Sequence, residues 1–168
     1  MTALSIYFFI SASIYFVGLL AFIVGNIRKE THLVSVCDPV FVSVIVAVRD
    51  GAGSLPALLK NLSTQIYNGK LEFIIVDDES SDDTAGIIQS WVNNDSRFRY
   101  VSSLEAANQN LRLKKRTLTA GIQKASGDIL LFTDADCHMG PYWIQSMACC
   151  FSQDVDYVIG YAQTHPSL

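Results

Sequence analysis

Three stretches of this sequence are nearly unbroken apolar runs rich in β-branched residues, and each runs into a polar cluster that holds a carboxylate. Phe41 to Val48 reads FVSVIVAV and runs into Arg49-Asp50. Leu71 to Val76 reads LEFIIV and runs into Asp77-Asp78, and Ile129 to Thr133 reads ILLFT and runs into Asp134-Ala135-Asp136. A strand that is apolar on both sides is buried on both faces, as in parallel sheets covered by helices. That pattern predicts an α/β fold with right-handed crossovers and a ligand site beyond the carboxyl ends of the strands.

The segments between the runs carry helical spacing. Ser54 stands where a helix cap belongs, Pro56 falls in the first turn, and Leu55, Leu58, Leu59 and Leu62 recur behind it. Asn68-Gly69 marks a turn. Asp82 or Asp83 opens a second helix, with Ile87, Ile88, Trp91 and Val92 on one face. Phe98 to Val101 reads as a short strand. Arg112 to Ala125 reads as a basic helix with Leu118 and Ile122 on its apolar side and Gly127 after it. Tyr142 to Phe151 reads as a helix, and Tyr157 to Gly160 as a last strand.

The N-terminus is different in kind. Ala3 to Gly25 holds no charged residue, and at about 1.5 Å per residue it reaches across a bilayer core of roughly 30 Å. The basic residues Arg28 and Lys29 follow it, whereas a signal peptide carries its positive charge in front. By the positive-inside rule the N-terminus lies outside and the rest is cytoplasmic. The chain then divides into an anchor at 1–27, a linker at 28–39 and an α/β domain at 40–168. Cys37, Cys137, Cys149 and Cys150 form no C-x-x-C pair; they read as reduced, mostly buried thiols, consistent with a cytosolic face. A net charge of −4 without a dominant basic patch argues against nucleic acid as a partner.

If the three runs are parallel neighbours, Asp50, Asp77, Asp78, Asp134 and Asp136 meet on one rim. So many like charges require a cation, a cationic side chain or raised pKa values. Asp134 and Asp136, two apart, point the same way if the chain stays extended, and such hard oxygen ligands suit Mg²⁺ or Mn²⁺. A lone D-x-D equally well just ends a strand. Asp77-Asp78 can hydrogen-bond a ribose or base, or serve the following turn. The basic run Arg112, Lys114, Lys115, Arg116 is either a solvated face or the partner of a diphosphate.

Taken in order, these features resemble the family 2 glycosyltransferases of the GT-A fold, over roughly Val40 to Tyr161. They are the strand Val42 to Val48, Leu55-Pro56 before a Leu-rich helix, Gln65-Ile66-Tyr67, and Phe73 to Asp78 with Ser80, Asp82 and Thr84. Lys114 then stands seven before Gly121, and Gly127-Asp128 leads into Asp134-Ala135-Asp136. The resemblance implies a Rossmann-like, mostly parallel sheet that is incomplete here and preceded by one transmembrane helix. It implies a nucleotide-diphosphate sugar donor, a divalent metal, and inverting transfer to a lipid or glycan acceptor at the envelope. It places Ala47, Arg49, Asp50, Asp77, Asp78, Lys114 and Asp134 at the donor, and Asp134 with Asp136 at the metal.

The chain departs from the family's pattern at two points. Where the family has Pro and then Asn-Glu around the end of the first strand, this chain has Ala47, Asp50 and Gly51. No residue matches the family's general base, which lies in an acceptor half expected beyond Leu168, so the chain reads as the donor-binding half. His138, after the D-x-D, reads as a loop residue. Three other functions compete: a truncated or degenerate transferase without turnover, a dinucleotide-binding Rossmann protein built on Gly51-Ala52-Gly53, and a phospho-receiver domain. The dinucleotide reading is weakened by Pro56 at the third glycine position, and the receiver reading by the order of its acids.

Overall fold

The computed structural model describes residues 3–27, 38–107, 113–151 and 154–160. Arg112 and Cys37, and most of the linker, lie outside them. The chain falls into two units, an N-terminal one and an α/β one.

The described part of the N-terminal unit is one helix, α1 (Ala3–Ile27). Its segment Ser5–Val24 is long and apolar enough to cross a membrane, with a mean hydropathy of 2.2 and no part buried against protein. Ser13 Oγ donates to the Phe9 carbonyl at 2.8 Å, so this hydroxyl needs no water.

In the second unit the order is β1 (Val42–Val48), α2 (Leu55–Ser63), β2 (Leu71–Asp77), α3 (Thr84–Asn94), β3 (Phe98–Ser102), a 3₁₀ turn at Ser103–Glu105, α4 (Lys114–Lys124), β4 (Ile129–Asp134) and α5 (Trp143–Ala148). Among the described residues the sheet has four strands in the order β3-β2-β1-β4, and all pairs are parallel. The chain builds outward from β1 to β3, then returns to the other side of β1. That reversal makes a topological switch point between β1 and β4.

Strand alternation sorts the apolar runs onto two faces. Val42, Val44, Val46 and Val48 join the leucines of α2, Ile88 of α3 and Ile144 of α5 in one core. Ile45, Ile74 and Val76 join Ala120 of α4 in the other. Phe98 closes the first core, 4.7 Å from the Phe73 ring and 5.3 Å from Trp91. Ile88 is fully buried, whereas Ile87, Trp91 and Val92 on the same helix are half-buried. Ile88→Val is therefore expected to cost about 1 kcal/mol in a urea melt.

Polar groups inside the sheet are satisfied. Glu72 accepts from Ser43 Oγ at 2.6 Å, the Ser126 amide at 2.6 Å and Arg99 at 3.2 Å. Burial raises its carboxyl, but those hydrogen bonds and the Arg99 charge outweigh it and hold it below its ordinary value. The network ties the end of α4 to β1 and β2.

Several local expectations need correction. Ser54 and Asp83 sit at the N-caps of α2 and α3, but neither side chain makes a cap hydrogen bond; it is Asp82, the alternative, that accepts from the Thr84 amide at 3.0 Å. Ile122 is exposed; Thr117, Ala120 and Gly121 form the buried face of α4. α5 covers only Trp143–Ala148 because the next amides turn back, Cys150 to Met147 and Phe151 to Ala148. Tyr157 to Gly160 is not a strand: a cleft of about 660 Å³ separates it from β4, and Tyr157 and Ile159 stay exposed. A strand needs a paired neighbour, which residue type alone does not supply. Nor do the cysteines form a set of buried thiols. Cys137 is exposed, Cys150 half-buried and Cys149 in a disulfide, which removes their support for a reducing compartment.

Candidate functional site

The parallel register puts the acids on one edge. Val48 pairs with Asp77 and Ala47 with Asp134, so the carboxyl ends of β1, β2 and β4 are level. Above the switch point, Ala47, Val48, Arg49, Asp78, Lys114 and Thr117 frame a cleft of about 180 Å³. Lys114 also borders a larger one of about 620 Å³, lined by Asp134, His138, Trp143 and others. Of the residues singled out from sequence, Ala47, Arg49, Asp78 and Lys114 come together in the smaller cleft. His138 is an exposed loop residue on the larger one.

The crowded carboxylates are answered by cationic side chains from α4. Lys114 Nζ lies 2.5 Å from Asp134, an exposed pair worth little by itself. Arg116 donates through Nη2 to Asp78 at 3.2 Å and also to Glu79. That pair is shielded: the Arg116 and Asp78 side chains are 19% and 10% exposed. Burial pushes the Asp78 carboxyl up, but Ser103, Arg116 and Thr117 favour its charged form and together hold it below the ordinary carboxylate range. Arg116 was read from sequence only as part of a basic run. The sign that it belongs here is electrostatic. Lys114, Lys115 and Arg116 occupy the first turn of α4, the positive end of the helix dipole, where cations are unfavourable unless acids or an anion face them.

The other acids are engaged by protein. Asp50 accepts from the Ser81 amide at 2.7 Å and its hydroxyl at 3.0 Å, which keeps its carboxyl below the ordinary value. Asp77 accepts from the Ser80 amide and the Tyr100 hydroxyl. Neither lines the small cleft. The amides of Asp50, Gly51 and Ala52 all donate to side chains of residues 80–84. This glycine loop therefore offers a pyrophosphate none of those N–H groups, unlike a dinucleotide-binding loop.

Asp134 and Asp136 do not continue one extended strand. β4 ends at Asp134, and the Cys137 amide bonds back to the Asp134 carbonyl at 3.2 Å. Among the described residues no three metal-ligating side chains gather. Two carboxylates do not cage a cation by themselves; a hard cation held there would draw its remaining ligands from phosphate and water. Downstream, Gln65 fixes the next loop: its Nε2 donates to Gly140 at 2.8 Å and its Oε1 accepts from the Ile144 amide at 3.1 Å.

Comparison with known proteins agrees with this layout. Residues 43–166 match the model of glycosyl transferase family 2. The undecaprenyl-phosphate 4-deoxy-4-formamido-L-arabinose transferase of Pseudomonas savastanoi pv. phaseolicola is 29% identical over 120 residues, 70% of this chain and 34% of the relative. The mannosyltransferase PcManGT of Pyrobaculum calidifontis, solved with GDP-Man and Mn²⁺, is 28% identical at a TM-score of 0.51, covering 59% of this chain and 28% of that one. S. aureus TarS 1-349 with UDP-GlcNAc is 25% identical at a TM-score of 0.52, covering 64% and 30% respectively. The chain thus spans about a third of the length of these relatives. Its sheet is that of the GT-A transferases. Because the match runs from β1 through residue 166, the chain belongs to glycosyl transferase family 2.

Proposed function

We propose that the α/β domain at 40–168 binds a nucleotide-diphosphate sugar with a divalent cation, Mg²⁺ or Mn²⁺, for inverting glycosyl transfer to a lipid-linked or glycan acceptor. The observation that carries this is the small cleft at the switch point, where Ala47, Arg49, Asp78, Lys114 and Thr117 meet under the cationic start of α4. A helix N-terminus bearing Lys114 and Arg116 suits a diphosphate. Asp78, ionised and held by Arg116, is an acceptor for N–H groups of the base. Asp50 and Asp77 act from behind, holding the loops that carry Arg49 and Asp78.

Asp134 and Asp136 would hold the cation, which as a Lewis acid would offset charge on the leaving diphosphate. Lys114 bridges the two clefts. Its contact with Asp134 keeps it poised to accompany the phosphates. α1 serves as the membrane anchor, with residues 28–39 as linker. The basic pair Arg28 and Lys29 favours a cytoplasmic α/β domain and an outer N-terminus.

The test is calorimetric titration of the detergent-solubilised chain with UDP and GDP. Adding Mn²⁺ is expected to tighten binding of one of them at least roughly tenfold, with Mn²⁺ alone binding weakly. Asp134→Ala with Asp136→Ala should erase that metal dependence. Metal dependence that survives in the double variant places the cation elsewhere.

A further inference from the structure

The loops after β1 and β2 are tied to each other by side chain to backbone bonds at every step. Asp50 N donates to Ser80 Oγ, Gly51 N to Thr84 Oγ1 and Ala52 N to Asp82 Oδ2, each at 2.9 Å. In return Asp50 holds the Ser81 amide and hydroxyl. Asp82 also accepts from the Thr84 amide at 3.0 Å and from its hydroxyl. Thr84 is fully buried, whereas Asp50 and Asp82 are exposed. Its Oγ1 takes the Gly51 proton while giving its own to Asp82, so it is the hub of the arrangement.

Two non-glycine residues near this tie have left-handed backbone, Asp50 at φ 49° and Glu79 at φ 58°. Such a conformation persists only where its surroundings over-determine it. Asp50 directly follows Arg49, and Glu79 directly follows Asp78. Both left-handed residues thus set the backbone just beyond the cleft residues that follow β1 and β2. If the tie opened, both loops would relax, and of the bonds between the two strand ends the Asp78 amide to the Val48 carbonyl at 2.8 Å would remain.

We propose that Ser80, Asp82 and Thr84 form a latch that positions Arg49 and Asp78 for the nucleotide, with Thr84 as its centre. This rests on the donor reading above. They are positioning residues that act through the Asp50–Ala52 amides.

The test uses the full chain in detergent, titrated with UDP and GDP in the presence of Mn²⁺, alongside hydrogen exchange at residues 50–52. Thr84→Val keeps the shape and removes the acceptor. It is expected to weaken binding roughly three- to tenfold and to speed exchange at the Gly51 amide. Thr84→Ser restores both. Ser80→Ala, at a half-buried position, should move both readouts the same way by a smaller factor. Faster exchange in either variant with unchanged nucleotide affinity overturns the latch, as does a loss in Thr84→Val that Thr84→Ser does not rescue. If Thr84→Val does not fold, Ser80→Ala decides the matter. If the unaltered chain binds neither nucleotide, the donor reading fails and the latch with it; binding that ignores these side chains sinks the latch alone.

Discussion

Arg116→Met is expected to weaken nucleotide binding roughly 10- to 100-fold, the range for removing a hydrogen bond to a charged group. Methionine keeps the packing of the stem and discards the guanidinium that holds Asp78 and Glu79. Burial, which pushes the Asp78 carboxyl up, then no longer meets the Arg116 hydrogen bond and charge. The same change alters stability in a pH-dependent way. In the native chain Asp78 has a depressed folded pKa. Its contribution is therefore present above the unfolded value of about 3.9 and is lost as pH falls through the lower folded one. In the variant the folded pKa moves up. The gap in stability between the two chains is then full near neutrality and closes in acid, where Asp78 is protonated in both. Denaturant melts from pH 7 down to pH 3 read this directly. A gap that is constant over that range would show that the guanidinium acts by packing and not on the charge of Asp78.

Gly121→Val is expected to cost about 3 kcal/mol and to take nucleotide binding down with it. A Cβ at Gly121 would lie 2.6 Å from Ile45 Cγ2 and 2.9 Å from Val76 Cγ2. Both neighbours are fully buried on the central strands and have no room to yield. Valine gains little helix propensity over glycine, a few tenths of a kcal/mol (~0.4), so overpacking decides the sign. The helix would lift away from β1 and β2, carrying Lys114 from Asp134 and Arg116 from Asp78. Thermal melts and UDP or GDP titration check the two halves of this expectation. A variant as stable as the parent would mean that α4 does not lie so close to the sheet.

The fold was readable because burial on both faces leaves a direct mark. FVSVIVAV, LEFIIV and ILLFT are the three central and edge strands β1, β2 and β4, with ends within a residue of those expected. Their terminal acids had to share an edge once the strands were parallel, since parallel register aligns carboxyl ends. The failures lie where the outcome depends on a distant partner. Tyr-Val-Ile-Gly has the composition of a strand but pairs with nothing along β4. Ser54 and Asp83 occupy cap positions without capping.

The site divides in the same way. Asp78 was expected at the cleft from strand polarity and Lys114 from the family resemblance, and both line it. Arg116 was not expected there, since its partners lie 38 and 37 residues away in sequence. Asp50 looked like a donor contact, and its carboxylate is spent on Ser81 across the neighbouring loop. What the sequence alone determined is the set of parallel strands, their shared acidic edge and the membrane-length helix, because apolar runs and strand polarity are local properties. What only the tertiary structure decided is which acid meets which cation and which loop amides are already occupied. Those pairings form across the sheet edge between segments that no local pattern connects.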